Sequence, residues 1–422
     1  MIMIDKLLII NAGGAFSAKT AYYELPFDPR SSFSNFKDVN TGDTLVLDAT
    51  LRALPANQVR SIQFGEDLDG LLETWGQPDI AVVRGSNYFH EHFDLGDFVK
   101  PLESLKCAIV ALGVGAQASS YGPIELPRGS IKFLHFLSDR STSLGVRGAF
   151  SAEIFAGHGV KNVDIIGCPS FFRSGNPKLQ IKKVQMDGPP KIGFNFNRFL
   201  GSYYCSNFIK TFLLQADLMQ CALGMAHSKI YWQGEKEELF ISKNDDDHSR
   251  DLLKLVLKRY RISPDPVNAQ RFKDRLRCFL NVEEWATHVR FNCDAMLGFR
   301  LHGNVIALHQ GIPAVMFSYD TRTRELIDYF SLPYVEIERF PKIDVAEFIK
   351  NADFTLFERA YMANFATFRH FLFKNGLSTQ FSKASVPAGG SNSQPIGLVD
   401  EDHYRQAFDK VSSMYNDLIN HR

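Results

Sequence analysis

Short apolar runs alternate along the first half of the chain with segments whose apolar residues recur at the spacing of a helix. Strands separated by helices in this way indicate a parallel sheet built from right-handed crossovers. We predict strands at 7–10, 59–64, 80–83, 107–113, 143–146 and 163–166. A helix with core spacing is predicted over 41–54, between the first two strands.

The alternation stops at 173–190, where Gly, Pro, Asn and Lys give the composition of an interdomain linker. It then resumes, with predicted strands at 191–196, 229–233, 295–299, 313–318 and 334–337 and helices at 207–225, 251–260, 282–291, 303–310, 345–350 and 356–374. The pattern predicts two Rossmann-like α/β domains, 1–178 and 188–380, facing each other across a cleft. A flexible loop at 381–402 and a helix at 403–422 are predicted to follow.

Length and charge narrow the class of protein. At 422 residues the chain is too long for one ordinary core, and its 47 basic and 47 acidic residues give no sign of a nucleic-acid partner. Residues 1–10 indicate a first strand instead of an export signal, and no apolar run predicts a transmembrane segment. The six cysteines lack Cys-x-x-Cys spacing, which is typical of a reduced, cytoplasmic protein. A peripheral position at the inner face of a membrane and the oligomeric state stay open.

The most informative segment is 297–320, where Arg300 and His302 stand between an apolar strand and a helix that ends at Gly311. The first amides and the positive dipole end of such a helix favour a phosphate or carboxylate, and an arginine there adds a bidentate clamp. The alternative is structural: both side chains cap the helix and pair with local carboxylates.

Arginines also follow two strands of the first half. Arg84 and Arg147, like Arg300, come directly after an apolar run and shortly before a glycine. This recurrence suggests a substrate with two anionic groups or several phosphates. For Arg147 the alternative is a salt bridge to Glu153, and for Arg84 it is likewise a structural ion pair.

Two further groups stand in loops of the first half. Asn40 and Asp43 precede the predicted helix at 41–54, which Thr41 or Asp43 could simply cap. His90 and His92 have the His-x-His spacing of metal ligands, but no third ligand is evident. One of them acting as a general acid or base, or both being solvated, are the other interpretations.

Polar residues also follow the strand at 313–318. Asp320 could cap the next helix, while Arg322 and Arg324 could reach a phosphate or belong to a solvated turn. A serine nucleophile elbow, a Walker loop and an His-Glu-x-x-His motif are absent from the sequence.

Taken in order, several of these motifs resemble the polysaccharide pyruvyl transferase family over about residues 5–335. The matching positions are Asn40-x-Gly42-Asp43, the turn at 79–87, Gly113-x-Gly115, Gly145-Val146-Arg147 with Ser151, Gly167-Cys168-Pro169, and Arg300-Leu301-His302 with Gly311-x-Pro313 and Tyr319. The Arg-Leu-His motif with its downstream Gly-x-Pro and Tyr is the most specific part.

This resemblance implies a GT-B-like enzyme that transfers a pyruvyl group from phosphoenolpyruvate to two hydroxyls of a sugar, free or lipid-linked, forming a ketal. It places the acceptor at the first domain and the donor at the second. The implied donor-binding residues are Arg300, Leu301, His302, Gly303, Arg147, Tyr319 and Arg322. Acceptor-side candidates are Asn40, Asp43, Arg84, Ser86, Asn87, His92 and Gln117. His302 is the candidate for proton transfer and His90 for the acceptor-side base, with no metal and no cofactor expected.

The sequence departs from the family pattern at the turn 84–87, which is not a run of glycines, at Cys168, where Asp is usual, and at Arg322, where Lys is expected. Two alternative functions stay open. A glycosyltransferase using a nucleotide sugar would need an acidic residue for the ribose, for which Glu325 is the nearby candidate, although we expect it to face solvent. A catalytically idle family member that binds a sugar or a partner is the other.

Overall fold

The computed structural model describes residues 4–16, 21–22, 39–183, 188–198, 200, 204–337, 345–377, 379 and 381. Both of its large sheets lie in one compact unit, residues 1–382. The predicted loop at 381–402, apart from Phe381, and the predicted helix at 403–422 lie outside the described residues.

Each of the two large sheets has six parallel strands. The first has the order β4-β1-β5-β6-β7-β8, with β1 Ile4–Ile10, β4 Ala56–Ile62, β5 Ile80–Arg84, β6 Ala108–Val114, β7 Leu144–Val146 and β8 Val163–Ile165. The second has the order β11-β10-β9-β12-β13-β14, with β9 Ile192–Asn195, β10 Lys229–Tyr231, β11 Leu276–Arg277, β12 Ala295–Gly298, β13 Ala314–Ser318 and β14 Tyr334–Glu336. A small antiparallel pair, β2 Ala15–Phe16 and β3 Ala21–Tyr22, stands apart.

Helices cover these sheets and carry the crossovers between parallel strands. In the first half they are α1 Thr41–Ala53, α2 Leu68–Trp75, α3 Val99–Leu102, α4 Arg128–Asp139 and α5 Ala149–Gly157. In the second half they are α6 Phe208–Gly224, α7 Lys236–Lys243, α8 Asp247–Arg259, α9 Pro266–Arg275, α10 Val282–Asn292, α11 Leu301–His309, α12 Thr321–Phe330, α13 Val345–Asn351 and α14 Thr355–Lys374. The prediction of two Rossmann-like α/β domains is confirmed.

The strand orders fix where a ligand can enter each sheet. In the first sheet β4 and β5 lie on opposite sides of β1, and in the second β10 and β12 lie on opposite sides of β9, so the strand order reverses between β1 and β5 and between β9 and β12. Loops separate at such a switch point and leave a crevice at the carboxyl ends of the strands. Arg84 ends β5, and Arg300 directly precedes α11 after β12. An arginine therefore lies at the crevice of each sheet.

A shared apolar core joins the two halves. It includes α1 and α11, together with aromatic residues of α14 such as Phe365 and Phe368, the latter stacked on Phe172 at 4.6 Å between ring centroids. After α14, the Asn375 side chain accepts from the Ser143 backbone N–H at 3.1 Å, in the first half. The predicted domain boundaries stay a prediction, with the end of α14 touching the first sheet. None of the helices described is long and apolar enough to cross a membrane.

Candidate active site

The loops at the carboxyl ends of the two sheets meet. The Thr41 backbone N–H, at the start of α1, donates to the Gln233 carbonyl at 2.9 Å, just after β10. The Gln117 amide, beyond β6, donates to Asp320 at 3.1 Å, beyond β13. The two crevices therefore open onto a common site.

His302 lies where these loops come together. A Cβ atom built on Gly42, in the first turn of α1, would stand 2.5 Å from His302 Nδ1 and 2.6 Å from Gln233 Nε2, so the ring packs closely on that turn. The other ring nitrogen, Nε2, lies 3.8 Å from the sulfur of Cys168, which follows β8. The imidazole of the second domain thus touches two elements of the first.

Four arginine charges act on this imidazole. Its enclosure by protein and the positive charges of Arg147, Arg322, Arg84 and Arg300 lower the pKa of His302 well below its usual value. Two of these arginines come from each domain. His302 is therefore neutral at pH 7.

Arg84 is buried and has a carboxylate partner. Its Nη1 lies 3.0 Å from Asp43 Oδ1, and its Nε donates to the Asn11 carbonyl at 2.6 Å. Arg84 therefore forms a structural ion pair, as the alternative interpretation expected. The charge of Arg84 still acts on His302.

Arg147 differs in its partners. It is 4% exposed, its Nε donates to the Gly113 carbonyl at 3.0 Å and its Nη1 to the Asn87 side-chain oxygen. It forms no salt bridge to a carboxylate in the described part of the chain, and Glu153 is exposed on α5. The alternative of an Arg147–Glu153 pair is wrong. Burial lowers the pKa of Arg147, as expected for a cation removed from water without an anionic partner.

Arg300 is held by the second domain itself. Its Nη2 pairs with the buried carboxylate of Glu235, its Nε donates to the Phe196 carbonyl at 3.2 Å, and its backbone N–H donates to Asn195 Oδ1 at 2.8 Å. Glu235 raises the pKa of Arg300 against the effect of burial. No side chain among the described residues caps α11, whose first residue is Leu301, so its N-terminal amides have no such partner and can bind an anion.

Arg322 extends the cluster from the first turn of α12. Its Nη2 donates to the Tyr319 hydroxyl at 3.2 Å and lies 3.5 Å from Asp320 Oδ2, while its Nε is buried without a hydrogen-bond partner among the described residues. Asp320 caps α12, accepting from Thr323 N–H at 2.7 Å. Arg324 instead pairs with Asp328 and Glu336, away from the cluster.

The acceptor-side candidates divide into two sets. Asn40 caps α1 through Gly42 N–H at 3.1 Å, so the expectation that Thr41 or Asp43 is the cap is wrong. Asn87 holds Arg147, and the carbonyl of the adjacent Ser86 accepts from Gly115 N–H at 2.9 Å. Among these positions, Asn87 directly contacts an arginine of the cluster. Gly303, on α11, packs against the Asn195 side chain and leaves no room for a Cβ.

His90 and His92 are not brought to the cluster by any contact in the described residues. His90 Nδ1 lies 3.1 Å from the Tyr204 hydroxyl, and its partial burial, with the charge of His92, lowers its pKa. His92 is exposed. No group of three or more His, Cys, Asp or Glu side chains in the described residues could hold a metal ion.

Glu325 overturns one expectation. It is 3% exposed, and its carboxyl group accepts from the backbone N–H of Ser151 at 3.1 Å and from the Ser151 hydroxyl at 2.9 Å. Burial raises its pKa to about 8, against the lowering effects of Ser151 and Arg147. The expectation that Glu325 faces solvent is wrong.

The model of the family described as polysaccharide pyruvyl transferase matches residues 40–321, a span that includes α1, most of both sheets and the Arg300–His302 motif. The chain belongs to the polysaccharide pyruvyl transferase family. The resemblance seen in the sequence is therefore confirmed, and this family member carries Cys168 beside its central histidine.

Solved structures give looser similarities. A functionally uncharacterised protein of Klebsiella pneumoniae is 14% identical with a TM-score of 0.37, covering 78% of this chain and 92% of its own. A UDP-GlcNAc 2-epimerase of Methanocaldococcus jannaschii is 10% identical with a TM-score of 0.44, covering 87% and 99%. HepE of Anabaena, in complex with UDP and glucose, is 10% identical with a TM-score of 0.42, covering 88% and 97%. No curated protein gives a significant match.

Four residues of the candidate site were given no role from the sequence, although two of them, Cys168 and Ser151, were among the motif positions that resemble the family. Gln233 and Glu235 follow β10, Cys168 follows β8, and Ser151 lies in the first turn of α5. The strand prediction at 229–233 carried the signal for the first two, because polar residues directly after a buried strand lie at the ligand-binding edge. Nothing local marked the pairing of Glu235 with Arg300.

Proposed function

We propose that the protein transfers the pyruvyl group of phosphoenolpyruvate to two hydroxyls of a sugar in a surface polysaccharide or its precursor, forming a pyruvate ketal. The observation that carries the proposal is the place of His302, which packs on the first turn of α1 and on Cys168 and lies within reach of the charges of two arginines from each domain. Phosphoenolpyruvate has a phosphate and a carboxylate on one small carbon frame, and it needs several positive groups in a small space.

The charges of the site leave one cation for the donor. Arg84, Arg300 and Arg322 each form an ion pair, with Asp43, Glu235 and Asp320, whereas Arg147 forms none with the described residues. The uncapped amides of α11 add a second anion-binding element. We assign the phosphate and carboxylate of the donor to the space between Arg147, Arg322 and the start of α11.

His302 suits the proton transfers of this reaction. One sugar hydroxyl attacks the central carbon while the methylene carbon gains a proton and becomes a methyl group. Phosphate then leaves with its bridging C–O electrons, and the second hydroxyl closes the ketal. Of the two hydroxyl protons, one ends on the methyl carbon and the other on the phosphate. A neutral imidazole can accept each proton and deliver it, which is general acid–base catalysis.

The alternative function, a glycosyltransferase that uses a nucleotide sugar, loses the one acidic residue proposed to bind the ribose. Its ribose would need a free acidic side chain, and the carboxyl group of Glu325 is already bound to Ser151.

The acceptor is a sugar, free or lipid-linked, and we place the reaction in the cytoplasm, where phosphoenolpyruvate is available.

A phosphate-release assay tests the proposal. Phosphoenolpyruvate is offered with a panel of galactosides, mannosides and glucosides, and the product is examined by mass spectrometry for the added pyruvyl group. We expect release with at least one acceptor and loss of release in Arg147→Ala. Absence of release with every acceptor, together with no thermal shift on adding phosphoenolpyruvate, contradicts the proposal. Binding without release favours the catalytically idle alternative.

A further inference from the structure

We infer that Glu325 is a positioning residue whose protonation controls how strongly Arg147 binds the donor anion. The inference rests on the proposed function where it names phosphoenolpyruvate as that anion. It adds to the site a residue that touches neither His302 nor any of the donor-binding candidates by hydrogen bond.

Glu325 links the second domain to the segment that carries Arg147. From α12 it reaches the first turn of α5, where Ser151 binds it through both the backbone N–H and the hydroxyl. The same hydroxyl accepts from Ala116 N–H at 2.9 Å, in the loop after β6. Ser151 therefore joins the carboxyl group of Glu325 to the loop after β6.

The packing around this contact is tight next to Arg147. A Cβ built on Gly148, the residue after Arg147, would lie 2.8 Å from both Glu325 Cβ and Oε2. A Cβ built on Gly115 would lie 3.1 Å from both Arg147 Cδ and Ser151 Oγ. Glu325, Ser151 and the stem of Arg147 therefore form one closely packed group.

Charge then couples the carboxyl group to the anion site. The titratable groups that act on Glu325 are Arg147 from the first domain and Asp320 from its own helix, and Tyr121, from the loop after β6, feels its charge in turn. With a pKa of about 8, Glu325 is neutral at pH 7, and the positive charge of Arg147 stays uncompensated. Above that pH, the negative charge of an ionised Glu325 offsets part of the positive charge of Arg147 and repels a bound anion.

The test measures anion affinity against pH with two probes, phosphoenolpyruvate and inorganic sulfate, by calorimetry on the full chain. Sulfate keeps its charge across the range and does not depend on the pyruvyl reaction. We expect affinity for either probe to fall by up to about tenfold between pH 7 and pH 9, the largest change that proton linkage to one group with this pKa allows. In Glu325→Gln, the amide oxygen can still accept from Ser151. The affinity of this variant for either probe should not change between pH 7 and pH 9.

Two controls make the result specific. Glu153→Gln, an exposed carboxylate on the same helix as Ser151, should keep the fall with pH, and Cys168→Ser should keep it as well. A flat profile in the unmodified protein, an equal fall in Glu325→Gln, or no binding of either probe overturns the inference. Sulfate binding that falls with pH, without any phosphoenolpyruvate binding, leaves the inference standing and removes the proposed function.

Discussion

Arg147 and Arg300 occupy equivalent places, each between a buried parallel strand and the helix that follows it, yet their partners differ. Arg300 pairs with the buried carboxylate of Glu235, whereas Arg147 has only a carbonyl and an amide oxygen as hydrogen-bond partners among the described residues. A buried ion pair fixes a side chain and cancels its charge, while a buried cation without an anion favours any ligand that supplies one. The motif around Arg300 is the more recognisable in sequence, but the uncompensated charge is that of Arg147.

The difference assigns separate tasks to the two domains. The second domain supplies a rigid frame, in which Glu235, Arg300 and the start of α11 are held together and present His302. The first domain supplies the net positive charge, under the control of Glu325 from the opposite side. The division into an acceptor domain and a donor domain stays a prediction, while the charges that act on His302 come from both.

The strongest test of the comparison is Arg147→Ala. We expect kcat/KM for phosphoenolpyruvate to fall about a thousandfold, because a buried, uncompensated cation that stabilises phosphate is removed. Phosphate release measures this loss, and Arg147→Lys should recover only a part of it, since a lysine lacks the planar fork. Arg290→Ala, at an exposed site on α10, is the matched control and should keep full activity. Near-normal kcat/KM in Arg147→Ala would show that the donor binds at Arg300 and not at Arg147.

His302→Gln tests the group that lies between the two arginines. We expect kcat to fall about a hundredfold or more while phosphoenolpyruvate still binds, because the general acid–base group is lost and the arginines remain. In the unmodified protein at saturating phosphoenolpyruvate, kcat should not fall as the pH drops through the usual histidine range, since the pKa of His302 lies well below it. An acid limb near the ordinary histidine pKa would show that the ring is charged at rest.

Glu235→Gln tests the frame of the second domain. We expect KM for phosphoenolpyruvate to rise about tenfold. The guanidinium of Arg300 loses its charged partner and no longer has one orientation. Since Glu235 acts through Arg300, adding Glu235→Gln to Arg300→Ala should cost nothing further in a double-mutant cycle. Glu237→Gln is the matched control, because Glu237 pairs with Arg198 and not with Arg300. Fully additive losses would mean that Glu235 contacts the substrate itself.

Much of the fold was accessible from the sequence, because fully buried parallel strands are continuous apolar runs. All five residues of β5 are buried, and its predicted span, 80–83, is one residue short of Ile80–Arg84. The edge strand β4 was placed three residues late at its start, since exposed residues such as Asn57 and Gln58 mask its beginning. Helix α8 begins four residues before its predicted start, at the point where Asp246 caps it through Ser249 N–H.

Only the general position of the site could be predicted from the sequence. The ends of predicted strands mark Arg84, Arg147 and Arg300 in the sequence, because the residues that follow parallel strands share one edge of the sheet. Which of them is neutralised depends on carboxylates from distant segments, such as Glu235 for Arg300, and no local pattern encodes that pairing. The same holds for Glu325, whose partner Ser151 belongs to the other domain.

Gly42→Ala is the mildest test, at the contact where the two domains meet on His302. The added Cβ would stand 2.5 Å from His302 Nδ1 and 2.6 Å from Gln233 Nε2, so both side chains must shift. We expect kcat to fall about fivefold, because a small displacement of the imidazole spoils its alignment with the substrate. Thermal unfolding should occur at the same or a higher temperature, since alanine favours a helix by up to about 1 kcal/mol over glycine. Gly224→Ala, where nothing lies within 4 Å of the new atom, is the control for a glycine exchange without contact. A loss of kcat in both variants, or a loss of stability that parallels kcat in Gly42→Ala, would mean that the contact supports the fold and does not orient His302.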